Sequence, residues 1–193
     1  MLIDNKKTRE ISWNDFELEG NKENLISQGW ESFEPYGSGN NELAHSETFE
    51  DWDKLNGTEA TFEQGVYFEE LDIYEATRIK TKKGSTQGQL KSVVPADKRG
   101  ALNYSVYVKN LSKNRMFFRA LNPFVYHNIN ANEFIKIEGK AEELSSIEFG
   151  GNYDLDFIAW RPVIYKDGDE PLTVIKTPLG NGLTRIQTWG GSA

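Results

Sequence analysis

Residues 152–171 read NYDLDFIAWRPVIYKDGDEP, a long alternating run that ends in a charged turn. Alternation with a period of two is typical of a β-strand, whose successive side chains point to opposite faces. One set of positions is mostly apolar, and we interpret it as a core face: Tyr153, Leu155, Phe157 and Ala159. The other set places two carboxylates and an indole on the opposite side: Asp154, Asp156, Ile158 and Trp160.

The same alternation recurs along the chain, whereas helical periodicity is poor. LNYSVYVKN (102–110) and NRMFFRAL (114–121) follow each other across a short turn, which predicts a hairpin. Further strand-like runs lie at 60–84, 132–141 and 145–151, with turn residues between them. We therefore predict an all-β sandwich or barrel. The alternation predicts burial of Tyr104, Val106, Val108, Met116, Phe118, Leu155 and Phe157.

Composition narrows the classes of function. The 193 residues include 22 basic and 30 acidic ones, for a net charge of -8, which argues against nucleic acid as a partner and disfavours anionic lipid. There is no cysteine, so disulfides and thiol chemistry are excluded. The opening MLIDNKKTREISW is not typical of a signal peptide, and no run approaches the roughly 20 apolar residues of a membrane span, so we expect no membrane insertion.

The two ends differ from the middle, which predicts three segments. Residues 1–23 are polar with few apolar anchors and form an N-terminal arm, 24–170 form the β-sandwich, and 171–193 form a C-terminal arm or hairpin with its turn at Gly180–Gly182. Apolar residues in the C-terminal segment imply docking onto the same domain, a neighbouring copy or another protein.

Three stretches, in this order, resemble a known family. ENLISQGW (23–30), LNYSVYVKN and the long ending at 135–171 are similar to the opening, the central strand and the last strand of carbohydrate-binding-module-like jelly rolls. The resemblance covers roughly residues 24–170. It departs from the family pattern at Val163 and Tyr165, where Lys and Glu are common, so it implies the fold more than the ligand.

Such jelly rolls recur in phage tails, baseplates and fibres, and beside glycoside hydrolases. The resemblance thus implies a jelly-roll β-sandwich with N- and C-terminal extensions, working as a non-enzymatic virion attachment protein that is assembled in the host cytoplasm. The expected partners are other copies, other virion proteins and a host-surface glycan. The alternatives are a carbohydrate-binding module associated with a polysaccharide hydrolase, and a capsid decoration or head-fibre protein.

No motif indicates catalysis or a cofactor. His45 and His127 are the only histidines, and no triad, phosphate loop or His-Glu-x-x-His pattern accompanies them. Asp154 and Asp156 are tempting as a catalytic pair, but i and i+2 on one strand are more often solvated carboxylates. Jelly rolls of this type often hold a structural calcium ion, so the resemblance allows one; EDWD (50–53) and DGDE (167–170) offer oxygen ligands, and no ligand is assigned.

The outward strand faces provide the residue types that bind sugars. Flat rings stack on sugar faces, and Asp and Arg hydrogen-bond the hydroxyl groups at the ring edges. The sequence therefore predicts one carbohydrate-binding face. Its members are Tyr107, Phe117, Trp160, Asp154, Asp156, Arg115 and Arg119. One alternative is that Trp160 and Phe117 are packing residues covered by the arms or by another subunit. The other is that the strand register is misread by one residue, which would exchange the two faces.

Overall fold

The computed structural model describes residues 2–4, 30–32, 41–43, 48–122, 124–180 and 183–191. These residues are almost entirely β-structure, with two single-turn 3-10 helices at Phe49–Asp51 and Ala96–Lys98. The strands are β1 (Leu2–Asp4), β2 (Trp30–Ser32), β3 (Asp53–Lys54), β4 (Glu59–Phe68), β5 (Ile73–Lys82), β6 (Gly88–Val93), β7 (Leu102–Asn110), β8 (Met116–Leu121), β9 (Val125–Ile129), β10 (Phe134–Ala141), β11 (Ser146–Gly151), β12 (Asp156–Tyr165), β13 (Thr173–Gly180) and β14 (Leu183–Trp189).

Two five-stranded antiparallel sheets form the sandwich. Sheet 1 has the order β10-β7-β12-β5-β4, and sheet 2 has the order β3-β6-β11-β8-β9. From β5 to β12 the chain passes repeatedly from one sheet to the other, staying in sheet 2 only for the β8–β9 hairpin. This connectivity is that of a double-sheet jelly roll, so the predicted fold class is confirmed.

The core lies between the sheets and is rich in aromatic rings. Phe149 of sheet 2 meets Phe157 of sheet 1 at a ring-centroid distance of 4.9 Å, and Tyr104 of sheet 1 lies 5.8 Å from Phe118 of sheet 2. All seven residues predicted from alternation to be buried are buried. Burying each large apolar side chain contributes about 1.5–3 kcal/mol, which makes this cluster the main source of stability.

The predicted hairpin of 102–110 with 114–121 is wrong, because β7 and β8 lie in different sheets. Asn110 is fully buried at the turn between them. Its side-chain Nδ2 donates to the carbonyls of Asn114 (2.9 Å), Asn130 (2.9 Å) and Ile129 (3.2 Å). Its Oδ1 accepts from the Ser112 amide at 2.9 Å. These bonds replace the strand pairing that a hairpin would supply, and so let the chain cross to the second sheet.

Most of the alternation predicted for β12 is present, but its phase changes at a β-bulge. Leu155, Phe157 and Ala159 belong to the core, but Tyr153 is exposed, because β12 begins only at Asp156. Pairing with β7 shifts between Trp160 and Val163, and Arg161 at this bulge has φ of +53°. Past the bulge the phase reverses, so that Ile164 faces the core.

Contacts within the chain divide it into two compact units, residues 40–170 and residues 1–39 with 171–193. The sandwich belongs to the first unit. In the second, β1 pairs antiparallel with β2, and β13 pairs with β14, which confirms the predicted C-terminal hairpin. Residues 5–29 and 33–40 lie outside the described residues, so the predicted boundaries at 23 and 170 stay predictions. Within the described ranges, no helix has the length and apolar character needed to cross a membrane.

Candidate functional site

Two of the sequence-predicted site residues lie directly opposite each other on one face. Trp160 on β12 lies directly opposite Tyr107 on β7, and their ring centroids are 5.6 Å apart. This is the outer face of sheet 1, where the Lys136 ammonium lies 6.0 Å from the Tyr107 ring. Trp160 is only 6% exposed, however. Its indole is therefore a packed ring in this structure, with little surface left to stack on a sugar.

Phe117 and Arg119 lie on β8, in sheet 2, and Arg115 is exposed just before that strand. The prediction of one shared face is therefore wrong, because it relied on pairing β7 with β8. A sandwich places the outer surfaces of its two sheets on opposite sides. Tyr107 and Trp160 thus lie on one side of the domain, and Phe117 and Arg119 lie on the other.

The two aspartates have local partners. The Arg78 guanidinium donates to Asp156 through Nε (2.9 Å) and Nη2 (2.8 Å), a bidentate pair on the outer face of sheet 1. The hydrogen bond to Asp156 raises the pKa of Arg78 above its ordinary value. Asp154 accepts a hydrogen bond from the Lys83 amide at 2.8 Å. Both carboxylates hold neighbouring segments together, and a sugar-binding role for them stays a prediction.

The outer surface of sheet 2 gathers a second set of residues around Arg119. We call it the Arg119 face and define it as Phe117, Arg119, Phe124, Tyr126 and Glu148. Arg119 on β8 lies directly opposite Tyr126 on β9 and Glu148 on β11. Its Nη1 donates to the Tyr126 hydroxyl and its Nη2 to Glu148 Oε1, both at 2.7 Å.

Three aromatic rings surround the Arg119 guanidinium. Its Cζ atom lies 5.3 Å from the centroid of Phe117, 5.7 Å from that of Phe124 and 5.6 Å from that of Tyr126, within the range of cation–π attraction. Burial lowers the pKa of Arg119, but the hydrogen bonds to Glu148 and Tyr126 outweigh this effect, and the pKa ends above its ordinary value. Arg119 is therefore a permanent cation that fixes the rings in place.

One of the three rings is buried, and the other two are exposed. Phe117 is 8% exposed and meets Tyr126 edge-on, with centroids 5.4 Å apart and planes at 67°. Phe124 is 68% exposed and Tyr126 is 50% exposed, and their rings are nearly parallel, with 14° between planes and 6.5 Å between centroids. Two parallel, exposed rings on a fixed base are suited to stacking on a flat apolar surface, such as the face of a sugar ring.

Two glycines make room for this arrangement. A Cβ at Gly150 would lie 2.5 Å from Phe117 Cζ, so the ring rests directly on the backbone of β11. A Cβ at Gly88 would lie 2.7 Å from Glu148 Cδ and 3.1 Å from Arg119 Nη2, so the ion pair occupies the space over β6. Side chains at either position would displace the members of the Arg119 face.

Hydrogen-bonding groups border the rings. Asn128 is exposed on β9 directly opposite Phe117. The Gln87 side chain donates to Asn152 Oδ1 at 2.7 Å. Both residues are exposed beside the β11 backbone on which the Phe117 ring rests. Amide groups of this kind donate to and accept from sugar hydroxyl groups. Sequence reasoning found Phe117 and Arg119 but missed Phe124, Tyr126 and Glu148, for which the alternation in 124–128 and 146–150 was the available signal.

A shallow depression over β4 and β5 is a weaker candidate. Its volume is 210 Å³, smaller than the roughly 300 Å³ at which ligand pockets begin. The residues that line it include no aromatic side chain. They are Glu59, Ala60, Thr61, Lys80, Thr81 and Lys82.

The segments that offered calcium ligands make other contacts. Asp167 accepts from Asn103 Nδ2 at 2.8 Å and pairs with Lys140, and these hydrogen bonds, that of Lys140 first, lower its pKa. Asp51 accepts from the Thr48 hydroxyl. Among the residues that the structure describes, no three His, Asp or Glu side chains are grouped to hold a metal ion. Calcium stays a prediction without assigned ligands.

No protein-family model matches the chain, and a comparison with curated proteins gives no match. Among solved structures, the chain is similar to the N-terminal endo-1,4-β-D-xylanase 10B of Clostridium thermocellum, in a structure of its CBM22-1 and GH10 modules complexed with xylohexaose. The TM-score is 0.45 with 16% identity, over 64% of this chain and 27% of that chain. The match therefore spans about a quarter of that chain, and the fold assignment above rests on strand topology.

Proposed function

We propose that this protein is a non-enzymatic carbohydrate-binding module whose ligand stacks on the Arg119 face. The observation that carries the proposal is the pair of nearly parallel, exposed rings of Phe124 and Tyr126 over a fixed cation. A sugar needs an apolar plane with hydrogen-bonding groups beside it, and Asn128, Gln87 and Asn152 supply those groups.

Binding without hydrolysis fits the carboxylates near this surface. Glu148 is 2% exposed and already accepts a hydrogen bond from Arg119. Glycoside hydrolysis requires two carboxyl groups that flank the scissile bond. A buried carboxylate held by an arginine is placed to position neighbouring side chains instead.

The test is to remove the two exposed rings and measure binding by affinity electrophoresis in gels that contain neutral polysaccharides such as xylan, galactomannan and β-glucan. We expect Phe124→Ala and Tyr126→Ala each to weaken binding about 2- to 10-fold, since an aromatic contact contributes about 0.5–1.5 kcal/mol. Tyr74→Ala is the matched control, because Tyr74 is an exposed aromatic residue on β5, in the other sheet. Equal retention of all three variants would refute the proposal. Absence of retention for wild type and for every variant would refute it as well.

We further propose that the module works in a phage virion, as a tail, baseplate or fibre component assembled in the host cytoplasm. The support is the sequence resemblance and the apolar residues of the C-terminal segment, which imply docking to other copies or other virion proteins. Weak sugar binding would gain avidity from several copies. Light scattering of the full chain and of a variant lacking residues 172–193 tests this: we expect an oligomer that the deletion weakens, whereas a monomer in both cases would favour a module appended to a hydrolase.

A further inference from the structure

The charges of sheet 2 form a row that crosses the sheet and includes the Arg119 face. Directly opposed residues on neighbouring strands place Asp53, Lys91, Glu148, Arg119 and Tyr126 side by side, from β3 to β9. Residues directly opposite each other in antiparallel strands project from the same face. The row therefore contains two acids and two bases in alternation, and its charges sum to zero.

Arg119 is the cation of this row that lies beneath the exposed rings. Both of its terminal nitrogens already donate hydrogen bonds, Nη1 to the Tyr126 hydroxyl and Nη2 to Glu148. The Glu148 carboxylate is 2.7 Å away and almost completely buried, so little solvent screens the attraction between the two charges. An approaching ligand thus meets a guanidinium whose charge is compensated locally.

Neutralisation of the Arg119 charge by Glu148 affects the binding of neutral and anionic sugars differently. A neutral sugar stacks on Phe124 and Tyr126 without disturbing the ion pair. A carboxylated sugar gains from Arg119 only if the guanidinium turns away from Glu148, which would leave a buried carboxylate without its partner. The rings are therefore available to both ligands, but the cation is available to neither.

We infer that the buried Glu148 carboxylate, by neutralising Arg119, makes the Arg119 face selective for uncharged glycans and excludes anionic ones. This inference rests on the proposed function and adds a specificity-determining residue to it. Glu148 acts through Arg119 and not by touching the ligand.

The test is Glu148→Gln, which keeps the side-chain shape and an oxygen that can accept from Arg119 Nη2 but removes the negative charge. Retention in affinity gels is measured with xylan and with polygalacturonate, at low salt and in 0.5 M NaCl. We expect wild type to bind a neutral polymer at least about tenfold more tightly than polygalacturonate. We expect Glu148→Gln to bind polygalacturonate about tenfold more tightly than wild type does, with the gain lost at high salt because the new attraction is coulombic.

Glu142→Gln is the matched control, since it changes net charge equally at an exposed position outside the row. Asp53→Asn is a second test variant, because it also raises the charge of the row by one but at an exposed residue of a short edge strand. It should show a smaller gain in the same direction, and it remains informative if Glu148→Gln fails to fold.

The outcomes separate the two proposals. If wild type binds xylan but neither row variant gains affinity for polygalacturonate, charge selectivity is refuted and glycan binding stands. If wild type binds both polymers equally, charge selectivity is refuted as well. If wild type binds no neutral polymer but Glu148→Gln binds polygalacturonate and Glu142→Gln does not, the charge effect stands and the proposed ligand class is wrong. If neither wild type nor any variant binds either polymer, both proposals are refuted.

Discussion

Replacing Asn110 with alanine should destabilise the sandwich more than any other single polar substitution we consider. Asn110 is fully buried at the turn between β7 and β8, and its amide group bonds four backbone groups. The carbonyls of Asn114 and Asn130 belong to exposed residues and regain water in the variant. The Ile129 carbonyl and the Ser112 amide belong to buried residues and lose their partner.

The magnitude follows from these two groups. Each buried group left without a partner costs about 1–3 kcal/mol, so we expect Asn110→Ala to lower the free energy of unfolding by about 2–6 kcal/mol. That is a large share of the roughly 5–15 kcal/mol that stabilises a typical domain. With a urea m-value of about 2 kcal/mol/M, the unfolding midpoint should fall by about 1–3 M.

Urea unfolding followed by tryptophan fluorescence measures this change. Asn128→Ala is the control, because Asn128 is an exposed asparagine on β9, the strand that ends at Ile129, and it should change stability by less than about 0.5 kcal/mol. A loss below about 1 kcal/mol for Asn110→Ala would show that the crossing turn does not depend on this side chain.

Three further predictions concern a glycine under an aromatic ring, a packed tryptophan and the half-buried His127. Gly150→Ala should lower stability by about 1–3 kcal/mol in thermal unfolding, because its Cβ would lie 2.3 Å from the Gln87 carbonyl oxygen and 2.5 Å from Phe117 Cζ; an unchanged melting temperature would contradict these contacts. Trp160→Ala should destabilise by about 3–5 kcal/mol while polysaccharide retention stays unchanged; loss of retention with unchanged stability would support the site predicted from sequence instead. Desolvation lowers the pKa of His127, which lies 2.9 Å from the Tyr104 hydroxyl, so the unfolded chain takes up the proton first and stability is lost as pH falls below about 6.5. Thermal unfolding at pH 7.5 and 5.5 should therefore show a steeper acid loss for wild type than for His127→Gln, and parallel losses would argue against this contribution.

The core could be predicted from the sequence because alternation is a local property. Alternation over five residues is enough to predict a shared buried face for Tyr104, Val106 and Val108. All three are buried. Sheet membership is not local in the same way. The run at 114–121 has the same alternation whether it pairs with β7 or with β11, and a short turn favours the wrong choice.

The candidate site was harder to predict for the same reason. Phe117 and Arg119 were found from their own strand, but Tyr126 and Glu148 become partners of Arg119 only through the registers of two other strand pairs. A single sequence does not specify those registers. Trp160 shows a second limit of such patterns, since alternation tells which way a side chain points but not whether something packs against it.

The repeated crossing between sheets also has a kinetic consequence. β7 (Leu102–Asn110) finds its hydrogen-bonding partners in β10 (Phe134–Ala141) and β12 (Asp156–Tyr165), and β11 must reach back to β6. The chain has to close these long loops before the pairings can compensate for the lost entropy, and sandwiches of this kind refold in about milliseconds to seconds. Only neighbouring strands such as β4 with β5 and β8 with β9 can pair early. We therefore expect refolding to begin at these two hairpins, and the turn at Asn110 to become ordered only when the second sheet closes over the first.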